Sequence, residues 1–278
     1  MIPFTKMHGV GNDFVVIDSS HVANFPDDKL CSFAIKVCNR HFGVGADGLL
    51  LYTPKVTGFD FRIFNADGSE DSMCGNGLRC VASLCHEAGL VPREGSAFTL
   101  DGVIPYCVIE NGDVQLRLGV PRFGGAAVGS VLPADFSINT YEQELNLINT
   151  GSPHAVIVCG DGPCSDAVFE TISPVIERSP LFPEHISVNW IYVRGDQILD
   201  IRTYERGVGE TLGCGTGASA AAVVAIALGL VTSPVSVRSA GGTVNVTWDK
   251  DASEILYLEG PAERVYAGSY AFLTSGAT

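Results

Sequence analysis

The sequence has little positive charge. Its 278 residues include 17 Lys and Arg against 31 Asp and Glu, which gives a formal net charge of −14 at pH 7. Phosphate backbones and anionic lipid surfaces repel such a chain, which argues against nucleic acid or a membrane as its partner. An anionic small molecule would therefore have to be bound by local positive groups or by backbone N–H groups.

The sequence also lacks a long apolar run. Residues 211–237 carry no charge, but their purely apolar part, Ala220–Val231, is only 12 residues long. A membrane-spanning helix needs about 20 apolar residues, so this segment is interpreted as a buried helix. Met1–His8 has neither the basic nor the apolar region of a signal peptide, and none is predicted.

Cysteine pairs with short spacing are missing as well. The nine cysteines are odd in number and form no Cys-x-x-Cys motif. A disulfide framework is therefore not expected, and the pattern is typical of the reducing cytoplasm. Seven of the nine are interpreted as small core residues: Cys31, Cys38, Cys80, Cys85, Cys107, Cys159 and Cys164.

What the sequence does contain is an internal repeat. Cys74 begins Cys-Gly-Asn-Gly, and Cys214, 140 residues later, begins Cys-Gly-Thr-Gly. The same shift superposes Asp60 on Asp200 and Gly89-Leu90-Val91 on Gly229-Leu230-Val231. A repeat this long is the size of a domain. It predicts two similar lobes, one formed by residues 1–121 with about 264–278 and the other by residues 122–263. The two lobes would present their two thiols to one ligand.

Each lobe is predicted to have one central helix among mostly antiparallel strands. Helical patterns follow each cysteine motif, from Gly75 to Gly89 and from Gly215 to Gly229, and another helix is expected from Asp28 to Asn39. Short segments with β character and turn residues surround them, such as Tyr106–Ile109 and Val114–Leu118. The predicted class is α+β, with two pseudo-symmetric lobes and an active site in the cleft between them.

The position of each motif gives its cysteine a chemical role. A helix N-terminus presents unpaired N–H groups and partial positive charge, which favours a thiolate over a thiol. The glycines after Cys74 and Cys214 let a carboxylate approach the backbone. Two such helix ends could hold one α-carboxylate with a sulfur on each face of the α-carbon.

This arrangement is suited to inversion of a stereocentre. One thiolate removes the α-proton, and the opposing thiol donates a proton to the other face. Two other roles for the cysteines are metal binding and thiol–disulfide exchange. Chelating pairs for a metal are absent from the spacing, so no metal is predicted. Thiol–disulfide exchange has no support from the spacing either.

At these residues the chain resembles the diaminopimelate epimerase family. Gly9-Val10-Gly11-Asn12-Asp13-Phe14 is similar to its opening motif. Its first signature resembles Asn65–Glu70 followed by Met73–Gly77, and its second resembles Glu205-Arg206-Gly207 followed by Cys214–Gly217. The resemblance spans nearly the whole chain. It implies a cofactor-independent epimerase of lysine and peptidoglycan precursor synthesis, with a small amino-acid substrate, and a homodimer.

The resemblance also implies roles for individual residues. Cys74 and Cys214 would be the acid–base pair, and His154 and Glu205 would lie beside the reacting centre. Arg206 would pair with the distal carboxylate of the substrate in a bidentate manner. Further substrate contacts are implied for Asn12, Asn65, Gly75, Asn76, Ser152, Ser187, Gly215 and Thr216. The alternatives without a functional role are that Asn12 and Asn65 serve turns and that His154 is structural. Glu205 and Arg206 would then form a surface ion pair.

Three positions depart from the family pattern. Gly48 stands where the family often has Gln, and Ser152 and Ser187 stand where it often has Asn. Serine forms the same kinds of hydrogen bonds with a shorter reach. Because these positions belong to the distal end of the substrate, they weaken the case for diaminopimelate without affecting the inversion chemistry.

Two other functions are left open. A two-cysteine racemase of another amino acid, such as proline or hydroxyproline, is disfavoured by Asn76, where the proline-racemase pattern has His, and by Arg206. A two-lobed amino-acid binding protein without turnover would keep the glycine loops but would not need two thiols.

Overall fold

The structure is a computed structural model that describes residues 1–131, 137–160, 162–250 and 254–272, and strands dominate it. Two units divide the chain: Met1–Leu116 with Pro261–Thr278, and Arg117–Gly260. Of the C-terminal segment assigned to the first lobe from sequence, residues 273–278 lie outside the described residues.

The helices and strands are numbered in chain order. The α-helices are α1 Asp27–Cys38, α2 Gly75–Glu87, α3 Asp166–Glu177 and α4 Gly215–Ala227, with 3-10 turns at Ser19–Val22 and Gly125–Val128. The strands are β1 Ile2–Gly9, β2 Asn12–Asp18, β3 Gly48–Lys55, β4 Gly58–Asn65, β5 Glu70–Asp71, β6 Glu94–Thr99, β7 Gly102–Val108, β8 Val114–Gly119, β9 Arg122–Phe123, β10 Ser137–Thr140, β11 Gln143–Asn149, β12 Pro153–Val158, β13 Ser187–Gly195, β14 Ile198–Glu205, β15 Gly209–Thr211, β16 Val235–Ser239, β17 Gly242–Trp248, β18 Leu256–Gly260 and β19 Glu263–Tyr270.

In the first unit the strands are ordered β19-β1-β2-β3-β4-β6-β7-β8. Only two of these pairings are parallel: β2 with β3, joined through α1, and β4 with β6, joined through α2. Parallel neighbours need such a helical crossover, whereas the remaining pairs are antiparallel. The prediction of a mostly antiparallel sheet is confirmed.

The second unit repeats this plan. Its order is β11-β12-β13-β14-β16-β17-β18, and both β9 and β10 pair with β11. The parallel pairs are again two, β12 with β13 and β14 with β16, joined through α3 and α4. The shift of 140 found in the sequence also relates α2 to α4 and β4 to β14 without a gap.

Each sheet curls around the helix that follows a cysteine motif. Helix α2 contacts β1–β4, β7 and β19, and α4 contacts β11–β14 and β16–β18. From Ala218 to Ile226 every residue of α4 is buried, which confirms the helix predicted to be buried all round. Ala, Val and Ile suit this position because small apolar side chains let strands approach the helix on every side.

The other two helices cover separate apolar cores. Leu30, Phe33 and Val37 of α1 pack on strands of the first unit, and Phe169 and Ile176 of α3 pack on strands of the second. Helix α3 was missed in the sequence, although Ser165 caps it by accepting a hydrogen bond from the N–H of Val168. In the described part of the chain, no helix has the length and apolar character needed to cross a membrane.

Candidate active site

Cys74 is the residue that caps the N-terminus of α2. Its backbone is extended, with φ −144° and ψ 113°, and its carbonyl accepts the first helical hydrogen bond from the N–H of Leu78 at 2.8 Å. Gly75 and Gly77 lie in the first turn. A Cβ on Gly77 would lie 3.0 Å from Cδ2 of Leu50 and 3.3 Å from Cζ of Phe61, so these side chains would have to shift to admit one.

Two predicted substrate residues surround the Cys74 sulfur. Its Sγ lies 3.8 Å from Oδ1 of Asn12, and Nδ2 of Asn76 donates to the same oxygen at 3.2 Å. Nδ2 of Asn12 in turn donates to a carboxylate oxygen of Asp47 at 2.9 Å. Asn12, Cys74 and Asn76 thus form one connected group in the first unit, which we call the Cys74 site.

A charged cluster holds the turn that carries Asn12. Asp13 accepts hydrogen bonds from the buried Lys6 and from Arg40, and Arg40 also donates to Asp47 at 2.8 Å. Burial raises the pKa of Asp13, but the hydrogen bonds from Arg40 and Lys6 outweigh it and lower the pKa to about 2. The position of Asn12 is therefore fixed by ionised partners.

Arg79, one turn into α2, is the main residue of this site that the sequence reasoning missed. It falls among the polar positions of the helix, yet it is 0% exposed. Its Nη2 donates to Oδ1 of Asn76 at 2.8 Å, and its Nε to the carbonyl of Pro261 at 3.3 Å. Nη1 is buried and has no hydrogen-bond partner among the described residues. Burial lowers the pKa of the guanidinium.

Gly9 makes room for this arrangement. A Cβ at Gly9 would lie 3.1 Å from Nη2 of Arg79 and 3.3 Å from Cβ of Asn76. Contacts this short force a neighbour to move. The first glycine of the opening motif therefore admits the buried guanidinium, a role that the sequence pattern does not reveal.

Asn65 ends β4 and is held within its own loop. Its Nδ2 donates to Oγ of Ser69 at 3.0 Å. The hydroxyl and N–H of Ser69 both donate to Asp67, and these hydrogen bonds lower the pKa of that carboxyl. Glu70 accepts from Arg62 at 2.6 Å. Asp67 and Glu70 thus stabilise the loop.

Cys214 is the N-cap residue of α4, as Cys74 is of α2, but only the Cys214 side chain accepts a capping hydrogen bond. Its Sγ accepts from the N–H of Gly217 at 3.4 Å and lies 3.5 Å from Oγ1 of Thr216. Oγ of Ser152 lies 3.0 Å from the same Thr216 hydroxyl and 2.8 Å from Nε2 of His154. The second unit therefore brings together four predicted residues, Ser152, His154, Cys214 and Thr216, which we call the Cys214 site.

His154 is completely buried in a polar cluster. Its Nδ1 lies 3.0 Å from Nδ2 of Asn189, whose Oδ1 accepts from the hydroxyl of Thr203 at 3.0 Å. Burial, assisted by the charge of Arg206, lowers the pKa of His154 to about 3, so the ring is neutral at pH 7. Asn189 and Thr203 were not predicted as site residues; as inward-pointing polar residues of β13 and β14 they carry a weak sequence signal.

Glu205 is the last residue of β14, and Arg206 follows it. Oε1 of Glu205 accepts from the Thr211 hydroxyl at 2.6 Å. The Arg206 N–H donates to Oγ of Ser187 at 3.1 Å, and its Nη1 donates to the carbonyl of Glu184 at 3.2 Å. Ser187 thus supports the backbone at Arg206. These contacts hold the loop that contains both residues.

Gly48, the remaining departure from the family pattern, opens β3. A Cβ there would lie 3.0 Å from the carbonyl of Phe64, so the backbone leaves little room for a side chain at this position.

The buried cysteines outside the two motifs are poor nucleophiles. Burial raises the pKa of Cys38, Cys80 and Cys85 to about 12. A thiol that stays protonated at neutral pH cannot act as a base. Within the ranges that the structure describes, no group of three or more His, Cys, Asp or Glu side chains could hold a metal ion.

Comparison with known proteins gives a match to a family over most of the chain. The family model described as diaminopimelate epimerase matches residues 4–124 and 146–265. A diaminopimelate epimerase from Caldanaerobacter subterraneus subsp. tengcongensis is 39% identical over 277 residues, covering 95% of this chain and 98% of its own length. One from Methanocella arvoryzae is 43% identical over 276 residues, with 96% of each chain covered.

A likeness to a solved structure concerns the fold alone. The crystal structure of a probable proline racemase from Agrobacterium radiobacter superposes with a TM-score of 0.67 at 18% identity. The match covers 98% of this chain and 93% of that one. The predicted α+β class, with strands around few helices, is confirmed by the element order and by this likeness.

Proposed function

Because this chain belongs to the diaminopimelate epimerase family, we propose that it interconverts LL- and meso-diaminopimelate by proton transfer to and from Cys74 and Cys214. The observation that carries the proposal is the repeated thiol at a helix N-terminus, capping α2 in one unit and α4 in the other. The reaction serves lysine and peptidoglycan precursor synthesis.

The chemistry needs two groups because inversion needs two faces. A thiolate removes the α-proton from one face, and the other thiol protonates the resulting carbanion from the opposite face. A single base that returned its proton to the same face would restore the starting isomer. Thiols can fill both roles without a cofactor, since each can exist as acid or base near neutral pH when a helix N-terminus stabilises its anion.

The reacting α-carboxylate is bound, in this proposal, by the first turns of α2 and α4. Gly75 and Asn76 supply N–H groups in one unit, and Gly215 and Thr216 supply them in the other. Charge develops on this carboxylate as the α-proton leaves, so preorganised donors there stabilise the transition state. The position of Gly75 and Gly215 in the first turns of α2 and α4 supports this role, since small residues leave the helix N-termini accessible to an anion.

The remaining predicted residues bind the rest of the substrate. Arg206 pairs with the distal carboxylate, for which a guanidinium provides two parallel donors. His154 and Glu205 lie beside the reacting centre and its α-amino group. Further polar contacts come from Asn12, Asn65, Ser152 and Ser187, of which Asn12 and Ser152 belong to the same hydrogen-bonded groups as the two cysteines.

Hydrogen exchange at the α-carbon tests this function. The reduced enzyme is incubated in D₂O with LL- or meso-diaminopimelate, and deuterium at the α-position is followed by NMR. We expect uptake with both isomers and formation of the opposite isomer. Absence of uptake with both thiols reduced would overturn the proposal.

A racemase of proline or hydroxyproline is the second candidate. Its support is the fold likeness to a probable proline racemase; against it stands Asn76, where that pattern has His. A monocarboxylic substrate leaves Arg206 without a distal partner. Screening diaminopimelate and monocarboxylic amino acids with the wild type and Arg206→Ala separates the two functions. Wild-type activity with diaminopimelate that is lost in the variant indicates a dicarboxylic substrate, whereas activity with a monocarboxylic amino acid that the variant keeps indicates the racemase.

A binding protein without turnover is the third candidate. It would bind diaminopimelate with nearly equal affinity after Cys74→Ala or Cys214→Ala, and the wild type would show no hydrogen exchange. Calorimetric titration of the three proteins therefore distinguishes it from an enzyme.

The proposed enzyme acts in the cytoplasm as a homodimer, with no nucleic acid or membrane partner. Residues 1–121 with about 264–278 form the lobe that supplies Cys74, and residues 122–263 form the lobe that supplies Cys214. Sedimentation equilibrium of the purified chain tests the dimer.

A further inference from the structure

A continuous set of hydrogen bonds joins a buried threonine to the sulfur of Cys214. It starts at Thr203, 3% exposed, and passes through Asn189, which is 0% exposed. Each neighbouring pair is 2.8 to 3.5 Å apart, and the order is Thr203, Asn189, His154, Ser152, Thr216 and Cys214. All six residues belong to the second unit.

The first two links decide which nitrogen of His154 carries the hydrogen. The hydroxyl of Thr203 donates to Oδ1 of Asn189, which leaves Nδ2 of this amide facing Nδ1 of His154. An amide nitrogen can only donate, so Nδ1 accepts. Because the ring is neutral, its one hydrogen is then on Nε2.

The remaining hydrogen bonds orient the hydroxyl hydrogens of Ser152 and Thr216 toward the sulfur. The N–H at Nε2 of His154 donates to Oγ of Ser152, which turns the Ser152 hydroxyl hydrogen toward Oγ1 of Thr216. The hydroxyl hydrogen of Thr216 is then directed to Sγ of Cys214, which also accepts the N–H of Gly217. A sulfur that receives two donors is stabilised as the thiolate.

Charged residues near the set are Arg206, Glu205 and Glu177. Arg206 acts on His154 and favours its neutral form. Glu205, at the end of β14, accepts from the Thr211 hydroxyl, and Glu177 accepts from the N–H of Gly207 in the next turn. The direction of the set is established at its buried end, by Thr203 and Asn189.

We propose that Thr203 and Asn189 are positioning residues for Cys214, which keep the hydrogen of His154 on Nε2 and so direct the Thr216 hydroxyl onto the sulfur. Their role in the reaction rests on the proposed function, in which Cys214 is a base. They act through His154 and do not touch the substrate. Ser152, which departs from the family pattern, is the residue through which the ring reaches Thr216.

The Cys74 site provides an internal control. Under the shift of 140, His154, Asn189 and Thr203 correspond to Phe14, Leu49 and Ile63, which cannot form such a set. A change made at Thr203 should therefore affect Cys214 more strongly than Cys74.

The test is the pH dependence of alkylation at each cysteine. The full chain is treated with iodoacetamide between pH 5 and 10, and peptides that contain Cys74 and Cys214 are quantified by mass spectrometry. Thr203→Val keeps the shape of the side chain and removes the donor, Thr203→Ser keeps the donor, and Ser152→Ala interrupts the set nearer to the sulfur.

We expect the rate at Cys214 near pH 7 to fall about 2- to 10-fold in Thr203→Val and Ser152→Ala, as the loss of one hydrogen bond predicts. Thr203→Ser should keep the wild-type profile, and any change at Cys74 should be smaller than that at Cys214 in all variants. An unchanged Cys214 profile in either Thr203→Val or Ser152→Ala overturns the proposal, as does an equal shift at both cysteines. If Thr203→Val does not fold, Ser152→Ala decides alone.

This readout is independent of the proposed function. Absence of deuterium uptake by the wild type would reject the epimerase, whereas the alkylation profiles would still report on the set. Uptake by the wild type together with an unchanged Cys214 profile in the variants would reject only the role of Thr203 and Asn189.

Discussion

The Cys74 and Cys214 sites share a backbone plan and differ in what surrounds the sulfur. In both, a cysteine is the N-cap residue of a buried helix around which the sheet curls, and glycines follow it. Near Cys74 the supporting groups are amides and a buried cation, Arg79. Near Cys214 they are hydroxyls and a neutral imidazole, His154.

The difference shows that repetition of the fold places the sulfur, whereas a few buried side chains decide its surroundings. Under the shift of 140, Arg79 corresponds to Ser219 and His154 corresponds to Phe14. Each unit thus has one large polar group where the other has a small or apolar one.

The largest effect is expected from removing either sulfur. Cys74→Ala and Cys214→Ala should each lower the rate of epimerisation by about 10²–10⁴-fold, the usual contribution of one acid–base group. The remaining thiol can still exchange the α-hydrogen of the isomer that it faces. Deuterium uptake should therefore survive for one isomer in one variant and for the other isomer in the other.

Cys85→Ala is the matched control for these variants, because Cys85 is a buried thiol of α2 outside the motif. It should retain uptake with both isomers. If Cys74→Ala and Cys214→Ala kept uptake with the same isomer, the two sulfurs would not act on opposite faces.

The second effect concerns the buried imidazole that only the Cys214 site contains. The pKa of His154 is lowered from 6.5 to about 3 in the folded protein. Between these values the unfolded chain binds one more proton than the folded one. The free energy of unfolding should thus decrease as the pH falls from about 6.5, by up to about 1.4 kcal/mol per pH unit, and be independent of His154 above it.

Urea denaturation of the wild type and His154→Phe between pH 4 and 8 measures this contribution. The substitution places in the second unit the residue that the first has at Phe14. The variant should lose the part of the slope that begins near pH 6.5. Parallel pH profiles for the two proteins would show that His154 is not buried as a neutral ring.

The smallest effect is expected from the buried cation that only the Cys74 site contains. Arg79→Met should lower kcat/KM about tenfold, because Asn76 loses the donor that orients it toward Asn12. The free energy of unfolding should change by less than about 1 kcal/mol, since relief of a buried charge offsets the lost hydrogen bonds.

Ser219→Ala, at the corresponding position of α4, is the comparison variant. The Ser219 hydroxyl is buried without a hydrogen-bond partner among the described residues, so its removal should not reduce stability. A decrease of several kcal/mol in Arg79→Met would mean that Arg79 is required for folding of the first unit and not for the orientation of Asn76.

The helices show how far the sequence could predict the fold. The expected helix from Asp28 to Asn39 is α1, Asp27–Cys38, and the helices after each cysteine begin where predicted, at Gly75 and Gly215. Helix α3 was missed, although the shift of 140 relates it to α1 within one residue. Its polar and apolar faces are separated at least as clearly as those of α1, and Ser165 caps it, so the pattern, the cap and the repeat all carried a usable signal.

The site residues also divide into those predicted from the sequence and those found only in the structure. The cysteine motifs predicted the two thiols at helix starts, and the family resemblance predicted the neighbours that form hydrogen-bonded groups with them: Asn12 and Asn76 near Cys74, and Ser152, His154 and Thr216 near Cys214. Arg79, Asn189 and Thr203 were not found, because nothing in a single chain distinguishes a polar residue that points into the interior from one that points to solvent.

The sequence by itself determined the repeat, the α+β class, the family and the two cysteines, since each is expressed in local order and spacing along the chain. Only the tertiary structure decided that a guanidinium is buried beside one site and a neutral imidazole beside the other. These burials depend on which strands curl over each helix, and contacts between residues distant in sequence leave no pattern in any short segment.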